Sequence, residues 1–307
     1  MIRVLTYLVI YILGVTMAIA QVKSENIILQ NGQIELPGTL THTSEKQPLL
    51  IWVHGSGNID RNGNQLGTPV KANYIKQFRD AVNKENIAFF SFDKRTSNKK
   101  NSAFLKNTKI TDFVLDVQEV VKHFKKDKRF SKIVLIGHSQ GSLIAMLASK
   151  NVDKYISIAG AGETIDKTIL KQLNAKNPTL GKAAKQQFDT LKIKGKIETV
   201  NPFLISIFAK PNQPFLLSWM QLNPTKEIKK VKKPTLIIQG TKDLQVKIED
   251  AKALNEAKPN AKLVLIENMN HVLKQITKNE DNLTSYYSNT FSISEKLIEV
   301  VVKFVKQ

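Results

Sequence analysis

The chain contains no cysteine. An N-terminal lipid-modified Cys is therefore excluded, and an exported form must fold without disulfides, relying on its core for stability. No pair of segments repeats at a fixed period, which argues against a solenoid or propeller, and no stretch is low enough in complexity to form a disordered tail. Aromatic residues make up 7% of the chain and do not interleave with the lysines, as a base-stacking platform for nucleic acid would require. Acidic residues are in deficit, with 26 against 46 basic ones for a formal charge of +20. The basic excess runs along the whole chain, densest at 122–129 and 229–233, and reads as a solvated surface rather than a nucleic-acid site.

What is present suffices for one substantial core, since 307 residues are 42% hydrophobic. The first twenty residues stand apart. Arg3 precedes an apolar run at 4–20 that ends Ala18-Ile19-Ala20. A basic start, an apolar middle and small residues at the end are the pattern of a secretory signal peptide, with cleavage expected after Ala20 and the mature protein periplasmic or secreted, without stable membrane insertion. The run is also just long enough to span a bilayer, so an uncleaved anchor is the alternative.

Residues 26–30 and 33–41 alternate around Asn31-Gly32, which predicts a hairpin with a two-residue turn. Short apolar runs follow at 49–53, 87–92, 133–136, 155–159, 235–238 and 263–266, lengths that suit strands buried on both faces of a parallel sheet. Amphipathic stretches alternate with them. Residues 111–125 place Phe113, Val114, Val117, Val120, Val121 and Phe124 on one helical face, and 248–257 and 294–304 read the same way. Ser292 with Glu295 predicts a capping box for the last helix. The sum is an α/β chain with a mostly parallel central sheet and an N-terminal antiparallel hairpin.

One interval breaks this alternation. Between Ala159 and Thr235 there is no clear strand. Helical patterns at 164–174 and 182–191 lead into a segment punctuated by Pro202, Pro211, Pro214 and Pro224. The interval is too long for a loop, so residues 161–227 are expected to form a helical cap inserted into a core of 21–160 and 228–307. Its Phe203, Phe208, Phe215 and Trp219 suit either a hydrophobic acyl or aryl site or packing of the cap onto the sheet.

The chemistry is concentrated at 132–148. There an apolar strand run leads into Gly137-His-Ser-Gln-Gly141 and then a helical run. Strand, G-x-S-x-G and helix in that order predict a nucleophile elbow, with Ser139 lifted to the carboxyl end of the sheet. A serine hydroxyl needs a general base. Among five histidines, His271 follows the last strand and returns to the sheet's carboxyl end. His138 adjoins the serine, but its ring is expected to point away; His42 and His123 lie on a hairpin and a basic helix. Asp243 follows the strand at 235–239 and is the expected partner of His271. Asp93 is the rival, more suited to salt bridges beside Lys94-Arg95, while Asp116 and Asp250 fall on helices. Oxyanion donors are expected from the N–H of Gln140 and, within His54-Gly55-Ser56-Gly57, from Ser56 or alternatively Gly57. His54 joins Phe215 and Trp219 as a candidate substrate contact.

The order Ser139, Asp243, His271 resembles that of the α/β-hydrolase superfamily across nearly the whole chain. More narrowly the chain is similar to secreted bacterial carboxylesterases with a helical cap, of the dienelactone-hydrolase and acyl-CoA thioesterase-like branches. His54-Gly-Ser-Gly57 with Asp60-Arg61, Phe92-Asp-Lys-Arg95, the stretch 214–219 ahead of Asn223-Pro224, and 240–246 carry that likeness. It implies hydrolysis of short-chain acyl or aryl esters of small molecules through an acyl-enzyme, with neither metal nor cofactor. Thr96, Ser142 and Asn223 depart from the usual Gly, Gly and Asp. A thioesterase, acyltransferase or peptidase of the same fold is the alternative, and a non-catalytic basic envelope-binding protein a remote one.

Overall fold

The computed structural model describes residues 21–43 and 46–307; the expected leader and its cleavage point lie outside the described residues. β1 (Lys23–Asn31) and β2 (Ile34–His42) form the antiparallel hairpin. Its two-residue turn is Gly32-Gln33, one position later than expected. Gly32 has φ +60°, so the left-handed position opens the turn instead of following Asn31, as in turns that carry glycine at the first central position.

The sheet continues through β3 (Gln47–Val53), β4 (Ala88–Phe92), β5 (Phe130–His138), β6 (Lys154–Ile158), β7 (Thr235–Gly240) and β8 (Lys262–Ile266). The strand order is β1-β2-β4-β3-β5-β6-β7-β8. Only the β1–β2 and β2–β4 pairs are antiparallel; the other five are parallel. This is the α/β-hydrolase fold. Strand side chains alternate between two cores. Leu49, Ile51 and Val53 point to one, and Leu50 and Trp52 to the other, which explains why these strands read as continuous apolar runs. β8 departs from that expectation: it closes the sheet, its Leu265 is exposed and only its Ile266 is buried, because an edge strand has a neighbour on one side only.

Helices cover both faces. α1 (Tyr74–Lys84) lies on the second face, α2 (Ile110–Phe124) and α3 (Gln140–Ala148) on the first. The six apolar residues expected on one face of α2 are all buried, each stabilising the docking by about 1.5–3 kcal/mol. Between β6 and β7 run α4 (Ile165–Lys176), α5 (Pro178–Lys194), α6 (Ile205–Phe208), α7 (Gln213–Met220) and α8 (Pro224–Ile228), with no strand among them. α4 to α7 share a core of their own, including Phe188, Phe208 and Leu216. The prolines open helical turns here as much as they interrupt them. Pro178, Pro214 and Pro224 each stand in a first turn, where the missing N–H costs nothing. Asn223 caps α8 by accepting from the Thr225 N–H at 3.0 Å, so the departure from Asp preserves the cap.

α9 (Ile248–Ala257), α10 (Asp281–Thr284) and α11 (Glu295–Lys306) complete the chain. The capping box expected at Ser292 is not formed. The residue preceding α11 is Ser294, whose hydroxyl is buried without a partner, and Ser292 instead accepts the Gln275 N–H through its carbonyl at 3.0 Å. Among the described residues no helix is long and apolar enough to cross a membrane.

Candidate active site

β5 ends in the elbow. Ser139 has φ +55° and ψ −121°, a conformation that strains any residue with a β-carbon and is held only by its surroundings. Its N–H donates to the Ile158 carbonyl at 2.9 Å, extending the β5–β6 ladder by one residue, and its carbonyl accepts from Ser142 at 2.9 Å to start α3. The flanking glycines permit this turn. A β-carbon on Gly137 would lie 2.2 Å from the Gly141 carbonyl oxygen, and one on Gly141 would lie 2.1 Å from that of Val53. Ser142, where a glycine was expected, is used for packing: its hydroxyl bonds Tyr155 Oη at 2.9 Å and Ser157 Oγ at 2.7 Å behind the elbow.

The loops after β7 and β8 bring Asp243 and His271 together. His271 Nδ1 lies 2.8 Å from Asp243 Oδ2, with side chains 6% and 1% exposed. The other carboxylate oxygen accepts the N–H groups of Gln245 at 2.7 Å and Val246 at 3.0 Å. Gln239 Nε2 adds a bond to Oδ2 at 3.1 Å. Burial alone would raise the Asp243 carboxyl; the charge of His271, its hydrogen bond and the two backbone N–H groups outweigh that and hold it below the usual carboxylate range. An ionised Asp243 keeps the imidazole proton on Nδ1 and leaves Nε2 as the acceptor. Asn270 clamps the histidine loop, donating from Nδ2 to Ser285 Oγ at 2.7 Å and accepting the Lys274 N–H at 2.9 Å.

His138 links that loop to the elbow. Its Nε2 donates to the His271 carbonyl at 2.7 Å, and the two rings are 4.8 Å apart. Its ring is stacked on Trp52 at 5.9 Å. His271 is thereby fixed against the residue next to Ser139. Among the described residues the Ser139 hydroxyl makes no hydrogen bond, to His271 or to any other group.

Ser139, Gln140, Ser56 and Gly57 line a cavity of about 690 Å³. A β-carbon on Gly55 would come 3.2 Å from Ser139 Cβ, so the loop after β3 runs directly against Ser139. Phe215 and Trp219 line the cavity and also pack on the core of the sheet. Phe208 is buried against Phe188 among the helices between β6 and β7, and Phe203 is 84% exposed; neither lines the cavity. His54 does not line it either. Its ring is buried against Phe92, with Nε2 3.2 Å from the Asp60 carbonyl and Nδ1 without a partner. Asp93 is taken up by Arg61, which donates through Nη2 to Oδ2 at 2.7 Å and through Nε to Oδ1 at 3.1 Å. Asp116 is held by Arg95 at 2.7 Å. Among the described residues no cluster of three or more His, Asp or Glu side chains is placed to bind a metal.

The sequence carried little signal for two residues at this site, Gln239 and Lys94. Gln239 could have been found as the one amide in a buried apolar strand. Lys94 gave only the weak signal of a lysine directly after a core strand.

Burial also fixes two histidines as neutral. Desolvation pushes both His54 and His138 down to about 3, with Lys94 and His271 respectively adding to the fall. The unfolded chain takes up protons at these rings below about pH 6.5, whereas the folded chain does not until about pH 3, so acidification within that window favours unfolding. Urea unfolding is expected to show a loss of about 2 kcal/mol per ring between about pH 7 and pH 5. A stability independent of pH over that range would contradict the buried, neutral state of both.

The BD-FAE family profile matches residues 39–257. Esterase EstD of Thermotoga maritima is 26% identical over 264 residues, covering 81% of this chain; the chain spans 60% of the length of that relative. Among solved structures, Est1E from Butyrivibrio proteoclasticus has a TM-score of 0.60 at 19% identity, over 92% of this chain and 99% of its own. Est1E has also been solved with ferulic acid bound. The Pyrococcus furiosus esterase Pf2001 has a TM-score of 0.58 at 19% identity, over 92% of each chain.

Proposed function

The chain belongs to the BD-FAE family, and from that premise we propose that it is a serine hydrolase that cleaves carboxylic esters of small molecules. The observation that carries the reading is the buried 2.8 Å contact between Asp243 and His271, fixed beside a strained serine that opens into a cavity. His271 Nε2 takes the hydroxyl proton as Ser139 Oγ bonds to the ester carbonyl carbon. The oxyanion so formed accepts from the N–H groups of Gln140 and Ser56. The ester C–O bond then breaks, the alcohol leaves with the proton held by His271, and an acyl group remains on Ser139. Water, deprotonated by the same imidazole, releases the acid and restores the serine.

Supporting the ester class, EstD, Est1E and Pf2001 are all named esterases. The cavity supports an uncharged acyl or aryl group, since Lys94 and Glu163 are its only charged lining residues among those described and Glu163 is paired with Lys171 at 2.8 Å. Segment 161–227 acts as the cap, contributing Phe215 and Trp219 to the wall. The test is a panel of p-nitrophenyl esters from acetate to decanoate, with aryl esters, thioesters and amides alongside, together with fluorophosphonate labelling of Ser139. Hydrolysis of uncharged oxoesters is expected to exceed that of thioesters and amides. A protein that labels but prefers thioesters or amides changes the substrate class, and one inert to all of these compounds refutes the reading.

A further inference from the structure

Lys94 enters none of the steps above, yet it touches both segments that supply oxyanion donors. It lies just past β4 and is 6% exposed. Its Nζ donates to the Gly55 carbonyl oxygen at 2.8 Å and to Gln140 Oε1 at 3.0 Å, and stands 5.0 Å from the centre of the Phe113 ring. Resting on the esterase reading, we propose that Lys94 is a positioning residue that holds the Ser56 and Gln140 N–H groups in line for the oxyanion.

The Gly55–Ser56 peptide carries both the carbonyl that Lys94 binds and the Ser56 N–H. In a trans peptide the carbonyl and the N–H point in opposite directions. Anchoring the Gly55 oxygen on Lys94 therefore turns the Ser56 N–H the other way, away from the amine. That N–H makes no hydrogen bond among the described residues, and Ser56 lines the cavity with Ser139 and Gln140. Glycines flank Ser56 on both sides, and Gly57 has φ +90°, so without an anchor this peptide could rotate at little steric cost. The second bond tethers the Gln140 side chain, whose own backbone N–H is the other donor. One amine thus cross-links the loop after β3 to the elbow.

Electrostatics reinforce the geometry. A cation on the Gly55 oxygen draws electron density through the peptide and strengthens the Ser56 N–H as a donor. Burial pushes the Lys94 ammonium down to about 7, so placing it here costs free energy that an apolar side chain of the same length would not. Its two acceptors and the Phe113 face offset part of that cost.

Lys94→Met keeps the stem and removes the donors. Because the interaction is realised on the developing oxyanion, kcat for a p-nitrophenyl ester is expected to fall about 30- to 300-fold with KM changed less than about threefold. Affinity for an arylboronic acid, which becomes tetrahedral on Ser139, should fall by a similar factor. Lys94→Ala should regain part of its kcat when propylammonium is added, a rescue that a merely structural lysine would not give. If Lys94→Met does not fold, Gln140→Leu reports instead, with about a tenfold lower kcat expected from loss of one tether. Wild-type kcat in a folded Lys94→Met, or in Gln140→Leu where that is the reporter, overturns the inference, as does a kcat loss in Lys94→Ala that no amine restores. These results, obtained with an active wild type, leave the esterase reading intact; a wild type inert to esters and to fluorophosphonate removes that reading first.

Discussion

Ser139→Ala is expected to lower kcat for ester hydrolysis by about four to six powers of ten while the protein melts as the wild type does. Both halves of that result follow from the local structure. In the proposed mechanism the hydroxyl forms the acyl-enzyme, and removing it leaves the proposed oxyanion donors and the cavity to supply a residual rate. The fold has little to lose. The hydroxyl makes no hydrogen bond among the described residues, and alanine keeps the β-carbon at φ +55°, so the backbone strain is unchanged. Stability should therefore move by less than about 0.5 kcal/mol. Activity assayed beside thermal unfolding checks both, and a folded Ser139→Ala that still turns over esters would remove Ser139 from the chemistry.

The serine was legible because its constraints are local. Gly137 and Gly141 are dictated by contacts that any such strand–turn–helix makes, the latter against the carbonyl of Val53 on the neighbouring strand. The meeting of Asp243 with His271 was legible for a topological reason: both follow parallel strands, so both emerge at the carboxyl edge where β5 delivers Ser139. The same logic put forward Asp93 and His54, and what became of them depends on which way each loop turns. Asp93 meets Arg61, and His54 folds inward onto Phe92. Nothing in the spacing of residues encodes those directions.

The remaining gaps have the same origin. A hairpin turn shifted by one residue keeps the same alternation on both strands, so periodicity could not separate Asn31-Gly32 from Gly32-Gln33. An apolar run such as that of β8 looks alike at the centre and at the edge of a sheet, because strand order is set by long-range pairing. Lys94 illustrates the limit most clearly. Its sequence context offered only a lysine past a core strand, whereas its proposed role depends on two acceptors 39 and 46 positions away in the chain.

Asp243→Asn provides the second large effect, and the hydrogen-bond pattern determines its direction. Oδ1 of Asp243 accepts two backbone N–H groups, so the amide oxygen of an asparagine must take that place. Its NH2 then occupies the Oδ2 position, facing Gln239 Nε2 and His271 Nδ1, both of which donate to Asp243 in the wild type. Donor meets donor. The imidazole can restore a hydrogen bond only by moving its proton to Nε2, the tautomer that cannot accept the serine proton. We expect kcat to fall about a thousand- to ten-thousand-fold at neutral pH, with KM little changed and fluorophosphonate labelling slowed in parallel. The Gln239 conflict should cost about 1–3 kcal/mol of stability. The same change at Asp93, whose carboxylate is engaged by Arg61, should leave kcat within about tenfold of wild type. If Asp93→Asn abolished turnover and Asp243→Asn spared it, the acid of the relay would have to be reassigned.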